Sequence, residues 1–217
     1  MEPNVSTVHF SKSPDASIDS RLGLNAGIVS ILGFGHIALQ PSVFYAQKGF
    51  VYRDIVDVRD INQPSIQNAA LKSTTLFHYV VLPLNLVYRQ GTDGQGLQIL
   101  AGPYAAVLLG GKQHLTITAP SGEEITSVER KMIAVNSTAP DPNSATSGNA
   151  YARRFDAGIQ GGLGYRLGPA LVQATYSLGL RTIPAKTFFN SVPVTSSDYY
   201  NRALQISLTY LFYGKSS

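Results

Sequence analysis

No cysteine occurs anywhere in the chain. Disulfides and thiolate metal sites are therefore excluded, and the avoidance fits an exported protein. Charge is scarce as well, at 14% of 217 residues, against about 25% in ordinary globular chains. Long hydrophobic runs are missing too. No stretch approaches the roughly 18 apolar residues of a transmembrane helix, and mean hydropathy is only +0.02. The net charge of +4 is mild, and the basic residues are scattered singly or in pairs such as Arg153-Arg154. A nucleic-acid surface needs a clustered stripe, so nucleic acid is not an expected partner. The opening residues, MEPNVSTVHF, carry neither the basic start nor the apolar segment of a signal peptide. Either the chain is cytosolic, or it is exported and its signal is removed or truncated.

What the chain does contain is alternation. Residues 158–178 read GIQGGLGYRLGPALVQATYSL, with Ile159, Leu163 and Tyr165 on one parity and Gln160, Gly162, Gly164 and Arg166 on the other. Period-2 patterning of this kind marks a strand with two unlike faces. It recurs along the sequence. Leu22, Leu24, Ala26 and Ile28 oppose Asn25 and Gly27 in a strand expected over 22–32. Leu39, Pro41, Val43 and Tyr45 oppose Gln40, Ser42, Ala46 and Lys48 in one over 36–52. Val80, Leu82, Leu84, Leu86 and Tyr88 oppose Tyr79, Val81, Pro83, Asn85 and Arg89 over 74–89. A weaker strand, apolar on both parities, is expected over 97–110. Clear ones are expected over 152–166, 170–181 and 201–213, and a first strand near 4–11 gives a count of eight.

The connections alternate between short turns and long polar stretches. That is the layout of an up-and-down transmembrane β-barrel, with short periplasmic turns and longer extracellular loops. Loops are expected over 53–73, 111–151 and 182–200. Within the longest, HLTITAPSGEEITSVERKM reads as a hairpin turning at Ser121-Gly122 and extending the neighbouring strands beyond the membrane. The Asn/Ser/Pro/Gly-rich NSTAPDPNSATSGN after it is expected to be mobile. No linker divides the chain, so residues 1–217 form a single barrel domain in this reading.

In a soluble eight-stranded barrel such as a lipocalin the apolar parity faces inward; in an outer-membrane barrel it faces lipid. Three features favour lipid. The polar parity holds Gln, Ser, Thr, Asn and Gly rather than the Lys, Glu and Asp of a solvated surface. Tyr45, Tyr88, Tyr165, Tyr176 and Tyr210 stand near strand ends on the apolar parity, as an interfacial girdle requires. The last strand closes in Tyr210 and Phe212. The expected environment is therefore the bacterial outer membrane and its lipid, with the chain a monomer. Export to that membrane favours a signal peptide removed or truncated over a cytosolic chain.

Several stretches resemble, in order, the PorT-like outer-membrane β-barrel family of Bacteroidota. LQPSVFYAQKGF at Leu39–Phe50 is similar to that family's strand running from Leu-Gln-Pro to Tyr-x-Gln-Lys-Gly. YVVLPLNLVYR at Tyr79–Arg89 and LAGPYAAVLLGG at Leu100–Gly111 resemble its next two strands. FDAGIQGGLGYRLG and NRALQISLTYLF resemble its last ones. The resemblance spans residues 20 to 213. The chain departs from it in its short N-terminal part and in the YGKSS tail after Phe212. It implies an outer-membrane porin-type barrel, with involvement in secretion or envelope assembly and partners among envelope or secretion proteins.

Chemistry is sparse. The histidines, His9, His36, His78 and His114, have no metal-ligand spacing. GIQGGLG is no phosphate loop, because no helix comes after it; its glycines read as room for bulky lumen neighbours. No catalytic, cofactor-binding or metal-binding residue is expected, although a barrel-rim hydrolase built on His78 and a loop serine is conceivable. Gln40, Lys48, Asn85, Arg89, Asp156, Gln160, Arg166, Gln173 and Arg181 are expected to fill the lumen as a structural polar network. Within it Asp156 is expected to neutralise Arg181, since buried charge must be paired. The leading functional reading is a structural or interaction role in the envelope. A small passive pore and a soluble lipocalin-like binder of hydrophobic ligands are the alternatives.

The lipid-facing assignment predicts that the protein refolds to a β-rich state only in detergent, and that unboiled and boiled samples migrate differently on a gel. A monomeric β-rich protein without detergent would turn the barrel inside out.

Overall fold

The computed structural model describes residues 2–11, 16–58, 66–91, 93–139, 148–189, 192–194 and 198–212. Its strands in chain order are β1 (Glu2–Phe10), β2 (Ser17–Val29), β3 (Leu32–Phe34), β4 (Ile37–Val58), β5 (Ile66–Arg89), β6 (Gly96–Thr118), β7 (Glu124–Val135), β8 (Ala150–Arg153), β9 (Phe155–Leu167), β10 (Ala170–Gly179), β11 (Thr187–Phe189), β12 (Val192–Val194) and β13 (Tyr199–Tyr210). Eight of them close a ring in the order β1, β2, β4, β5, β6, β9, β10 and β13, with β13 returning to pair antiparallel with β1. Among the described residues no helix is long and apolar enough to cross a membrane. A closed ring meets the same need, because every ladder bond finds a partner.

The parity read from the sequence is the parity of the wall. Leu22, Ile28, Leu84, Tyr88, Ile159, Leu163, Leu204 and Leu208 all stand exposed on the outside. Asn4, Gln40, Asn85, Gln98, Asp156 and Gln173 on the other parity are buried. The barrel is apolar outside and largely polar inside, the inverse of a lipocalin.

Short turns close one end. Gly35 (φ 62°), Gly94 (φ 79°) and Gly168 (φ 58°) hold left-handed conformations in the β3–β4, β5–β6 and β9–β10 turns, where a side chain would be strained. Two further glycines act by their size. A Cβ on Gly158 would stand 2.1 Å from the Leu178 carbonyl and 2.7 Å from the Tyr104 ring. One on Gly162 would stand 2.2 Å from the Ala174 carbonyl. These glycines let β9 lie close against β10 while Tyr104 crosses the lumen.

The prolines sit where pairing lapses. Pro41 and Pro83 border the gap in the β4–β5 ladder between Pro41↔Leu84 and Phe44↔Val81. Pro83 and Pro103 border the gap between Pro83↔Tyr104 and Leu86↔Ala101 in β5–β6. An absent N–H costs nothing where no bond is made.

The other end departs from expectation. The stretch 53–73, expected as a loop, is largely strand: β4 and β5 stay paired from Ile37↔Tyr88 to Val58↔Ile66. β5 and β6 likewise stay paired as far as Ala70↔Thr118. These strands have 22, 24 and 23 residues, where about 9–11 suffice to cross a bilayer. The excess forms a sheet standing off one side of the barrel. The expected hairpin at Ser121-Gly122 is present, with β7 paired to β6 from Gly111↔Met132 to Thr118↔Glu124. β7 is a separate strand rather than a prolongation of β9, and β8 lies parallel to it.

A bulge in β6, where His78 faces Gly110 and Tyr79 faces Leu108, reverses the parity. Leu108 points inward below it, whereas above it Lys112 and His114 point outward. The expected mobile stretch falls mostly on residues 140–147, outside the described residues. Its described start joins a cap: Lys186 N donates to Ser137 O at 2.9 Å, and Ala139 N to Lys186 O at 2.8 Å.

Gly162→Val is expected to block close approach of β9 to β10. Overpacking of this kind typically costs about 1–3 kcal/mol. The check is the urea midpoint of the mobility-shifted form in detergent, which should fall.

Candidate functional site

The lumen has two layers of opposite character. In the periplasmic half, side chains from facing strands meet in hydrogen-bonded pairs. Gln40 Nε2 donates to Gln173 Oε1 at 3.1 Å, across the barrel from β4 to β10. Gln160 Nε2 donates to Asn85 Oδ1 at 3.0 Å, and Ser177 Oγ to Gln160 Oε1 at 3.4 Å. Asn4 Nδ2 donates to Asn25 Oδ1 at 2.7 Å. Nearer the turns, Arg89 Nη2 donates to Gly35 O at 2.6 Å, and Arg166 Nε to Gly168 O at 3.2 Å. What space remains among the glutamines and asparagines is a small cavity that polar side chains such as Asn4, Gln40, Asn85 and Gln173 line.

Above this layer stands a charged pair. Lys48 is 6% exposed. Its Nζ stands 5.1 Å from the Tyr104 ring centroid and 5.8 Å from that of Tyr79, within reach of cation–π attraction. Asp156 Oδ2 accepts from Asn201 Nδ2 at 2.7 Å and from Tyr104 OH at 3.4 Å. Lys48 and Asp156 attract each other through the lumen without a direct ion pair.

This corrects one expectation. Arg181 does not join the lumen network: β10 ends at Gly179, and Arg181 is exposed beyond it. The lumen cation facing Asp156 comes instead from β4, far earlier in the chain. Sequence adjacency of the sixth and seventh strands pointed to Arg181, but a closed barrel brings distant strands face to face across its bore.

The extracellular half of the bore is apolar. Phe50, Phe77, Tyr79, Tyr104, Leu108 and Met132 are buried there in one cluster. Phe77 packs on Tyr79 with centroids 6.0 Å apart, and Phe50 edge-on to Tyr199 at 5.4 Å. Ile183 and Ala152 join the cluster from the cap. The expectation of a polar plug missed this layer. Its signal was present: Tyr79 and Val81 sit on the polar parity of their strand, and β6 is apolar on both parities because Tyr104, Ala106 and Leu108 face this plug while Pro103 and Ala105 face outward.

The expected interface aromatics all face outward. Tyr88, Tyr165, Tyr210 and Phe212 are exposed at the end with the short turns, while Tyr45 and Tyr176 are exposed further along their strands. Tyr45 OH is hydrogen-bonded to His78 Nδ1, and among the described residues no serine is hydrogen-bonded to that histidine. His114 Nε2 lies 3.4 Å from Ser127 Oγ on the outstanding sheet, but both are open to solvent. The neighbouring Glu129 is held by Lys112 Nζ at 2.8 Å. That ammonium holds the Glu129 carboxyl below its usual range. Neither arrangement excludes water or buries a base, so neither is built as a triad. Among the described residues, no group of three His, Asp or Glu side chains is placed to hold a metal ion.

A family profile described as outer membrane protein beta-barrel domain matches residues 3–183. The chain belongs to this family. The outer membrane protein beta-barrel domain accounts for the wall from β1 through β10, and β13 closes the ring beyond the matched residues. Membership agrees with the lipid-facing exterior and places the protein in the bacterial outer membrane. No curated protein and no solved structure matches the chain significantly.

Removing one partner of a buried charged pair typically costs about 3–5 kcal/mol. Asp156→Ala is therefore expected to lower the unfolding midpoint in detergent strongly, by stranding Lys48 and Asn201. Arg181→Ala is expected to change stability by less than about 0.5 kcal/mol, as exposed sites do. Equal effects from both would restore the Asp156–Arg181 pair.

Proposed function

We propose that this outer-membrane barrel is sealed, and that its role in the envelope is structural and interactive rather than catalytic or conductive. The observation that carries the reading is the contrast between the two ends of the same strands. Inside the membrane, β4, β5 and β6 enclose a bore filled by amide pairs and an aromatic layer. Outside it they run on as a sheet that β7 widens. In this reading the amide pairs and the aromatic layer close the bore to ions, and the sheet is the docking face for envelope or secretion proteins. The resemblance to PorT-like barrels of Bacteroidota supports that class of partner.

The outward face of the sheet is polar and charged. It carries Lys72, Lys112, His114 and Lys131, and the exposed ion pairs Arg53–Asp19 and Lys112–Glu129. Ion pairs as exposed as these add little stability, which leaves their side chains free to exchange partners at low cost.

In planar bilayers the intact protein is expected to give no conductance steps. The double variant Phe77→Gly/Tyr79→Gly, which opens the aromatic layer, is expected to give them. Steps from the intact protein would establish the pore instead. The docking role has its own check. A variant with residues 113–130 replaced by a two-residue turn is expected to keep the heat-dependent mobility shift and to lose the crosslinked products that the intact chain forms in cells. Identical products from both would overturn it.

A further inference from the structure

On four neighbouring strands the outward side chains change character at one level. On β2, Leu24 and Leu22 give way to Arg21; on β4, Tyr45 gives way to Gln47. On β5, Val80 gives way to His78, and on β6, Leu109 to Lys112. Below this level the wall is apolar and open, with Leu22 73% and Leu109 60% exposed. The level lies ten residues above Tyr88, the exposed tyrosine at the foot of β5. At about 3.4 Å per residue and a strand tilt of about 35–45°, that separation is about 24–28 Å, which matches the apolar band of about 25 Å on an outer-membrane barrel. Arg21, His78 and Lys112 therefore stand at the extracellular headgroup level.

The opposite boundary is built differently. At the short turns Tyr88, Tyr165, Tyr210 and Phe212 face outward, while Arg89 and Arg166 are buried. Among the described residues no Lys or Arg faces outward there. Aromatic rings suit either interface. Cations on one boundary alone call for an anion on that side.

The extracellular boundary also carries more cations than it neutralises. Lys131 of β7 stands directly opposite Lys112 in the ladder, and like charges so placed repel. Glu129 answers Lys112 at 2.8 Å, and Asp19 is held by Arg53. Arg21 and Lys131 meet no carboxylate among the described residues. Arg21 lies over β4, its Cδ 3.2 Å from where a Cβ on Gly49 would stand. It is close enough to His78 for their charges to repel. His78 is fixed on the outer wall by the Tyr45 hydroxyl and by ring stacking on Tyr45, with centroids 5.9 Å apart. In the ladder only Gly49 and Leu76 separate Arg21 from Lys112. Because Arg21 reaches over β4, about two strand spacings remain between the two cations, about 10 Å.

We propose that the outer wall between Arg21 and Lys112 binds an anionic membrane lipid, its phosphate held by Arg21, His78 and Lys112 and its acyl chains lying on Leu24, Tyr45 and Leu109. Depth decides for a lipid over soluble phosphate, because the cations stand directly above the apolar band and not at the tip of the sheet. Guanidinium and ammonium groups hold phosphate oxygens by charge-assisted hydrogen bonds. Lys112 can turn from Glu129 to the phosphate at low cost, since that pair is exposed. The inference does not rest on the docking role given to the sheet, which concerns residues 113–130 and is read by crosslinking.

The chain has no tryptophan, so one reporter can be placed at will. Leu24→Trp and, on the opposite wall, Leu163→Trp are refolded in detergent, checked for the mobility shift and reconstituted in phosphatidylcholine vesicles. Dibrominated phosphatidic acid or dibrominated phosphatidylcholine is included in rising fraction, and quenching of the tryptophan is read. Half-quenching of Leu24→Trp is expected at a fraction of phosphatidic acid at least about tenfold lower than of phosphatidylcholine, since two or more cations attract the headgroup. In the Leu24→Trp background, Arg21→Gln/Lys112→Gln is expected to abolish the preference and Arg21→Lys/Lys112→Arg to keep it. Leu163→Trp is expected to show none. Equal quenching of Leu24→Trp by the two lipids would overturn the proposal. So would a preference that survives the glutamine pair, or an equal preference at Leu163→Trp, which would mean diffuse attraction. Sodium phosphate that abolishes the preference where sodium chloride of equal ionic strength leaves it would overturn it by assigning the patch to soluble phosphate.

Discussion

Everything in this structure stems from the impossibility of leaving peptide groups unbonded in hydrocarbon. A sheet that spans it must close on itself. The closing contact is β1 against β13, the ends of the chain meeting across seven residue pairs from Asn4↔Gln205 to Phe10↔Tyr199. Closure then dictates the side chains. With lipid outside, the outer parity must be apolar, and the inner parity is released from the requirement that usually defines a protein core. In this barrel the inner parity is used in two ways, as amide pairs below and as an aromatic layer above.

The two layers solve one packing problem with different chemistry. Eight strands leave a bore just wide enough for side chains. Amides such as Gln40, Gln173, Asn85 and Gln160 span it by bonding in pairs, which offsets the cost of burying them. Higher up, Phe77, Tyr79 and Tyr104 span it by bulk, and the small residues Gly158 and Ala106 receive them. Lys48 and Asp156 sit at the boundary. There an ammonium can rest on aromatic faces while a carboxylate takes bonds from Asn201 and Tyr104.

The wall was legible because period-2 alternation survives wherever one face meets lipid: Leu204, Ile206, Leu208 and Tyr210 could be assigned outward from the sequence alone. Legibility failed where that contrast vanished. Beyond the membrane both faces of β4 and β5 meet water or cap, so RDIVDV, residues 53–58, looked like loop although it continues the strand. In β6 the contrast vanished for the opposite reason, since Leu108 inside and Leu109 outside are equally apolar. Pairing across the bore was beyond reach in principle. Gln40 and Gln173 are 133 residues apart, and only the ring's circumference and stagger bring them together. Asp156 was recognised as a charge needing a partner, but the partner's identity depended on that same closure.

The continuity of β4, β5 and β6 from wall to extracellular sheet has a mechanical consequence. No hinge separates the sheet from the barrel, so a load applied to its tip is carried straight into the wall. Pulled along the strands, that load falls on many ladder bonds at once, in shear, instead of peeling them one by one. Tilted sideways, it bears on the aromatic layer just below, where Phe50 and Phe77 from two of the same strands are wedged together. The barrel is thus both anchor and stiff root, and whatever grips the sheet grips the membrane through it.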